Sequence, residues 1–436
     1  MNELNCKNRT IFLHDNLEIL QSLNSRCIDL IYLDPPFNKN KKFTAPIGSS
    51  AEGAEFSDIF REEDVKDEWL QTIKEDQPEL YQYLNGIKGV GKPYNFAYLA
   101  YMAIRLIECE RILKTTGSIY LHCDPTMSHY LKLVMDCIFG EINFRNEIVW
   151  CYSTSGRRKR FFAPKHDVIL FYSKSNGVYW SDYRIPVSQK YLDSHYRQTD
   201  TLGRRCRIRK DAGKTRIYYP EEGMICNDWW VDIPYVNSQA KERTGYPTQK
   251  PLALLARIIR ASSDENGIVL DPFCGCATTC VAAERLDRKW VGVDVSIKAY
   301  ELVKERLLKE RELVAASSEE RRLASSEVVL KTAPPKRTDV EIDYREEKFV
   351  YIISHPNYEG EFKVGIAKDV NARLNAYQTS DPERQYQLAY SLRTPKFRET
   401  EIYIHKVFPN KYEWVRGNLE DIKKEIETYA SASEIL

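Results

Sequence analysis

Residues 268–296 read IVLDPFCGCATTCVAAERLDRKWVGVDVS: a run of apolar residues, a turn of small ones, a helical stretch, and a second apolar run closing on an acid. A strand, turn, helix and strand in that order predict a parallel sheet covered by helices on both faces. A ligand can lie across strand tips only where small residues let the backbone approach it, and Gly275 and Ala277 supply that opening. Asp271 closes the first strand and Asp294 the second. Asp294 is placed to accept hydrogen bonds from two ribose hydroxyls. The competing reading makes it a helix N-cap, a role that Ser296 also fits. The segment lacks GxGxxG, which disfavours a nicotinamide dinucleotide. Two phosphates need several bare N–H groups at a helix start, whereas a nucleoside cofactor without phosphate does not.

Upstream, the apolar run Ile28–Leu33 ends abruptly in Asp34-Pro35-Pro36-Phe37. Two prolines forbid further strand pairing, so the tetrapeptide sits at the carboxyl end of a central strand, where open sheets bind ligands. Each residue type has a task there. An aromatic exocyclic amine is a poor nucleophile because its lone pair is delocalised into the ring. A carboxylate such as Asp34, accepting one N–H while a carbonyl of the Pro35–Pro36 region accepts the other, draws that nitrogen toward sp3. Phe37 can stack on a base turned out of a duplex. The alternative is a plain strand-ending turn.

Around these two segments the pattern predicts helices over 17–23, 94–113 and 127–139, and strands over 117–122, 148–152 and 168–172, with the polar pair His122 and Asp124 closing the first of these strands. Residues 40–92 are polar and acidic, read as loop and helices with no chemistry. Between Tyr179 and Tyr246 the chain is irregular, aromatic and basic, the candidate for reading DNA sequence. Alternation resumes with helix 252–261, helix 279–286, strand 290–293 and a helix from Ile297 to near Leu313. Residues 314–345, rich in Ser, Glu, Lys and Arg, predict a linker. A compact unit follows, opening on the strand 349–353.

A chain of 436 residues is too long for one core. Its 43% hydrophobic content builds packed interiors, and a net charge of +1 means that nucleic acid must be met by local basic segments. Two exist. One is GRRKR at 156–160, with Arg157, Arg158 and Lys159. The other, at 203–216, carries Arg204, Arg205, Arg207 and Arg209. Solvated loops are the bland reading of both. Eleven cysteines without CxxC spacing predict reduced thiols in a cytoplasm, and Cys274, Cys276 and Cys280 cluster without the fourth ligand that zinc needs. The first ten residues lack an apolar signal region and no window approaches a membrane span.

IYLDPPFN (31–38), GYPTQKPLALLARII (245–259) and VLDPFCGCATT (269–279) together resemble the β-group of DNA N6-adenine and N4-cytosine methyltransferases, in which the catalytic motif precedes the cofactor motif. LKTTGSIYLHCD, FRNEIVW and KHDVILFYSK are similar to that family's core strands. The resemblance covers about residues 8–310. It implies an α/β fold of the class I S-adenosylmethionine-dependent type, Rossmann-like and circularly permuted, with an irregular target-recognition insert. Asp34, Pro35, Pro36 and Phe37 would form the catalytic site. Asp271, Pro272, Phe273, Gly275 and Asp294 would contact S-adenosylmethionine. Residues 247–251, Lys250 among them, would close over its methionine end. The family loop is AGSGTT and here it is CGCATT, which requires a negative φ at Ala277. DPPF fits adenine N6 as the target, with cytosine N4 as the alternative. C5 chemistry needs a Pro-Cys nucleophile that the chain lacks.

The C-terminal unit, through FVYII (349–353), FKVGI (362–366), ARL (372–374), Glu401 and His405, resembles the phage-associated branch of the GIY-YIG nucleases, with Lys363 in place of the second tyrosine. There Tyr351 would help deprotonate a water, Arg373 hold a phosphate, and Glu401 bind Mg2+. The sober alternative is a core tyrosine, a surface Glu401–His405 pair and a module that only grips DNA. The resulting division is 1–178 and 247–313 for the two halves of the methyltransferase, 179–246 for target recognition, 314–345 for the linker and 346–436 for the small α/β domain. Expected partners are duplex DNA, a cognate restriction enzyme and a second copy of the chain. A nuclease that uses its methyltransferase half to read DNA, and methylation of RNA or protein, are the competing functions.

Overall fold

The computed structural model describes residues 3–153, 160–211, 214–316, 328–338, 348–367, 369–411 and 414–431. It divides into two compact units, residues 1–62 with 93–339, and residues 63–92 with 340–436.

The first unit opens with β1 (Thr10–Leu13), α1 (Asn16–Ser22) and β2 (Ile28–Leu33), followed by the hairpin β3 (Lys41–Thr44) and β4 (Glu55–Asp58). It resumes at α4 (Pro93–Ile112), β5 (Leu113–Cys123), α5 (Ser128–Phe139), β6 (Phe144–Cys151) and β7 (His166–Ser173). In the irregular insert, β8 (Arg184–Ile185) pairs with β12 (Met224–Ile225). After α6 (Gln189–His195), β9 (Gln198–Thr199), β10 (Arg205–Asp211) and β11 (Lys214–Tyr218) form a three-stranded sheet. Then come β13 (Trp229–Trp230), α7 (Leu252–Ser262), β14 (Ile268–Asp271), α8 (Thr278–Arg285), β15 (Lys289–Asp294), α9 (Ile297–Ala316) and β16 (Val329–Lys331).

Nine strands make one sheet in the order β13-β6-β7-β5-β2-β14-β15-β1-β16. All run one way except β7, which is antiparallel to both β5 and β6. Among the described residues no helix separates β6 from β7, and the two pair as antiparallel neighbours. In β2 Ile28, Leu30, Ile31 and Leu33 are all fully buried, as a central strand covered on both faces demands. β2 and β14 are sheet neighbours but come from opposite ends of the unit's sequence. Their carboxyl ends, with those of β1, β5 and β15 and the reversed amino end of β7, converge on one rim. The stretch read as a linker is partly structured: β16 adds to β1, and the Thr338 N–H donates to Asn24.

The second unit is an antiparallel sheet with the order β19-β17-β18-β21-β20: β17 (Lys348–Ser354), β18 (Glu361–Ala367), β19 (Gln387–Thr394), β20 (Asn410–Lys411) and β21 (Trp414–Arg416). It carries α10 (Val370–Ser380), α11 (Phe397–Val407) and α12 (Leu419–Ser431). To these it adds α2 (Asp67–Asp76) and α3 (Pro78–Gly89), drawn from within the stretch read as the catalytic half. The Lys348 ammonium is buried against Glu75 at 2.9 Å and Asp76 at 2.8 Å, and Arg398 reaches Glu75 at 2.9 Å. Among the described residues no helix is long and apolar enough to cross a membrane.

Candidate active site

A cavity of about 740 Å³ opens at the strand rim of the first unit, and Asp34, Phe37, Lys250, Asp271, Gly275 and Asp294 all line it. The two sequence segments that carried the chemistry therefore meet in one place. Pro35, Pro36, Pro272 and Phe273 line it as well.

At the turn between β14 and α8, Gly275 takes φ +50°, and a Cβ there would lie 3.0 Å from the Tyr246 ring, so both conformation and space favour glycine. Its N–H donates to Asp294 Oδ2 at 2.8 Å, and the Ser296 N–H donates to Oδ1 at 2.8 Å. Ser296 in turn caps α9, its Oγ accepting from Lys298 N–H, the role for which it competed with Asp294. Burial pushes the Asp294 carboxyl up to about 6, against the pull of those N–H groups. Burial likewise raises Asp271 to about 7, and the nearby charges of Asp34 and Asp294 add to it. The Asn16 side chain donates to the Pro272 carbonyl at 2.9 Å, fixing the turn.

The expected negative φ at Ala277 is not what the chain adopts. Ala277 sits at φ +54°, ψ +37° as the residue that caps α8. The turn must reverse between Cys274 and Thr278, and the Ala277 N–H closes it on the Cys274 carbonyl. A left-handed alanine costs about 1 kcal/mol, and full burial of its methyl against the core helps to offset that.

At the Asp34–Phe37 turn, Asp34 is half-buried and both its oxygens accept from Lys250 Nζ, at 2.8 and 2.7 Å. Lys250, expected at the methionine end of a cofactor, thus sits on the acid. Phe37 stacks on His122 with centroids 5.9 Å apart and planes at 15°. His122 is held by Tyr32 Oη at 2.9 Å and Asp167 at 3.1 Å, and Tyr152 donates to the other oxygen of Asp167 at 2.9 Å. Asp124 accepts from Lys39 Nζ and from the Thr126 and Met127 N–H groups. Of the polar pair at the strand end, Asp124 lines the cavity, and His122 stands buried behind Phe37.

Asp58 was invisible in the sequence. Fully buried at the end of β4, it accepts the N–H groups of Phe37 at 3.2 Å, Asn38 at 2.6 Å and Lys39 at 3.0 Å. Burial raises its carboxyl above the ordinary range while these three donors oppose that rise. It fixes the backbone that follows Asp34-Pro35-Pro36 from a region read as chemically silent, and no local signal marks it.

The predicted DNA contacts separate into three groups. Arg157, Arg158 and Lys159 lie outside the described residues. Arg204 bonds Asp200 and Tyr219, Arg205 bonds Asp193 and the Leu192 and Tyr196 carbonyls, and Arg207 bonds Tyr191. These three brace the insert. Arg209 is exposed, directly opposite Arg216 across the β10–β11 hairpin, with Lys210 and Lys214 exposed beside them.

In the second unit Tyr351, Lys363 and Arg373 gather about Tyr377. The Tyr351 hydroxyl meets Tyr377 Oη at 2.9 Å and Arg373 Nε at 3.3 Å, and Lys363 Nζ lies 4.1 Å from the Tyr377 ring centroid. Burial raises the Tyr351 hydroxyl above its ordinary range. Glu401 stands one turn before His405 on α11, and His405 Nε2 donates to the Val364 carbonyl at 3.1 Å. Among the described residues no group of three acids, histidines or cysteines is arranged to hold a metal.

The mixed sheet with one reversed strand, the acid-tipped strands and the small-residue turn define a class I methyltransferase fold. A DNA methylase family model, N6_N4_Mtase, matches residues 28–305, and the T5orf172 domain matches residues 348–430. The chain is 27% identical over 292 residues to the Type II methyltransferase M.HpaI of Haemophilus parainfluenzae, covering 67% of this chain and 71% of that protein. It is 27% identical over 289 residues to the DNA adenine methyltransferase YhdJ of Escherichia coli strain K12, covering 66% and 79%. Among solved structures it is similar to the PvuII DNA methyltransferase (cytosine-N4-specific), with a TM-score of 0.43 and 16% identity over 76% of this chain and 99% of that one. The chain belongs to the N6/N4 DNA methylase family.

Proposed function

We propose that the chain methylates N6 of adenine in duplex DNA, with S-adenosylmethionine as donor and the target base turned out of the helix. The observation that supports this reading is the meeting of Asp34 and Phe37 with Asp271, Gly275 and Asp294 in one cavity of about 740 Å³, a volume suited to a nucleoside and a base together. The residues fit the cofactor: Gly275 lets a nucleoside approach the turn, and Asp294 keeps acceptor capacity beyond the two N–H groups it receives. S-adenosylmethionine supplies an electrophilic methyl group on a sulfonium. The protein's part is to hold the amine: Asp34 accepts one N–H, a carbonyl of Pro35 or Pro36 the other, and Phe37 carries the base on its face. The amine's surplus proton leaves to Asp34 or to water.

Adenine is favoured over cytosine because the motif offers a carboxylate, Asp34, and the name of YhdJ agrees with it. Relatives named Type II methyltransferases support a place in restriction–modification in a cytoplasm, beside an endonuclease that cuts the unmethylated site. Sequencing the genome of a host that expresses the chain, with detection of modified bases, should find N6-methyladenine in one short sequence. N4-methylcytosine there would overturn the base, and unmodified DNA the whole reading.

The second unit supports a further reading of its own, a GIY-YIG-like module that grips DNA. Lys363 and Arg373 set about the Tyr351–Tyr377 pair make a cationic, aromatic cluster suited to a phosphate. If the unit also cuts, Mg2+ held at Glu401 is required, so Glu401→Ala should abolish cleavage. Binding without Mg2+-dependent cleavage by the wild-type protein would leave gripping alone.

A further inference from the structure

We propose that the Lys250 ammonium is a built-in stand-in for the target amine: it holds the nucleophile's place on Asp34 until the amino-acid carboxylate of the cofactor draws it away. The inference rests on the reading of Asp34 as acceptor for the amine of the base.

Three features of the site carry it. First, Lys250 Nζ donates to both oxygens of Asp34, at 2.8 and 2.7 Å, and faces the Thr248 carbonyl at 3.4 Å. A carboxylate and a carbonyl are the pair of acceptors that an exocyclic NH2 requires. Second, the same nitrogen lies 5.1 Å from the Phe37 ring centroid, while His122 stacks on that ring. A base held on Asp34 and stacked on Phe37 needs the volume that the ammonium fills. Both cannot be there at once.

Third, the segment that carries Lys250 is strained. Thr248 takes φ +62°, a costly conformation for a β-branched residue. Gln249 is pinned beside it, its side chain accepting from Thr244 N–H and hydroxyl and donating to the Glu242 carbonyl. With the backbone anchored there, exchange is a rotation of the lysine side chain. An ammonium held by one carboxylate is drawn away most readily by another. Of the other acids lining the cavity, Asp271 and Asp294 stand at the nucleoside end, Asp124 is paired with Lys39, Asp167 with His122 and Tyr152, and Asp58 with the N–H groups of Phe37, Asn38 and Lys39. The methionine carboxylate supplies the anion at the other end. The order that follows is cofactor first, base second, with Asp34 exposed to DNA only when the donor is in place.

The test needs neither DNA nor turnover. Calorimetry compares S-adenosylhomocysteine, which has the carboxylate, with 5′-methylthioadenosine, which has the nucleoside and sulfur but no carboxylate. In Asp34→Asn the ammonium is released in advance, so the affinity ratio of the two ligands should rise about tenfold over wild type. Unchanged methylthioadenosine binding reports an intact fold. In Lys250→Met the ratio should fall below wild type, and the double variant should follow Lys250→Met. A ratio that stays level or falls in Asp34→Asn overturns the exchange. Methyl transfer to DNA by the wild-type protein is scored separately: transfer with an unmoved ratio discards this inference alone, and no transfer discards the reading it rests on.

Discussion

Each unit buries a lysine against acid, and the two pairs differ in what surrounds them. Lys250 and Asp34 face a cavity of about 740 Å³. Lys348 is enclosed by Glu75, Asp76 and the Phe397 ring, 5.2 Å away, within a packed interior. A charge that loses its partner beside a cavity can be hydrated, and one that loses it in a packed interior cannot. The same chemistry is therefore replaceable in one place and structural in the other.

The comparison breaks first on Asp34→Ala. Removing the acceptor should lower methyl transfer by about 1,000-fold, measured with labelled donor on host DNA, while the melting temperature moves little because water reaches the orphaned Lys250. A large drop in melting temperature would erase the distinction between the pairs.

Lys348→Met should do the reverse. Asp76, buried with its counter-charge gone, should destabilise the second unit by about 3 kcal/mol, read by denaturant titration, and methyl transfer should stay near wild type. The pair joins residues 273 positions apart, and this explains why residues 63–92 resisted reading. Their partners lie in the same unit but in a distant stretch of the sequence, beyond the reach of any local pattern. Legibility was high where local chemistry decides: β2 keeps its expected bounds, Asp271 and Asp294 fall at the predicted strand tips, and Gly275 falls in the predicted turn. It was low where tertiary context decides. Ala277 is left-handed because the turn must close on Cys274, Asp58 matters because β4 brings it under the catalytic turn, and Lys250 faces Asp34 across 216 positions of sequence.

The acids also sharpen the contrast through pH. Asp294 is raised from 3.8 to about 6, so between those values the folded protein binds more protons than the unfolded chain, and stability falls as pH rises. Asp294→Asn should remove that loss. It should be more stable than wild type above pH 6 by at most about 3 kcal/mol, equal to it below pH 4, and weaker in binding S-adenosylhomocysteine. Burial alone would raise Glu75, but the bonds from Lys348 and Arg398 outweigh it and set the carboxyl below its usual 4.5. Its contribution is present above that value and is lost as pH falls through the lowered one. Acid should therefore loosen the second unit while it spares the Asp294 turn, and hydrogen exchange followed from pH 7 to 3 should show that order.

The smallest effect is expected at the β10–β11 hairpin, where Arg209 and Arg216 stand directly opposite each other and exposed. Like charges so paired destabilise a hairpin by a few tenths of a kcal/mol, so replacing both with alanine should leave the fold as stable or slightly more so. If the pair meets the DNA backbone, the double variant should lower the slope of log affinity against log salt by about 2, nearly one for each phosphate left without its arginine. Arg204→Ala and Arg205→Ala are the control, since they cut bonds to Asp200, Tyr219 and Asp193 and should loosen the insert first. Stability that rises while the salt slope falls would mark a pair held for DNA and not for the fold. A slope that stays unchanged in the double variant would remove this hairpin from the DNA interface.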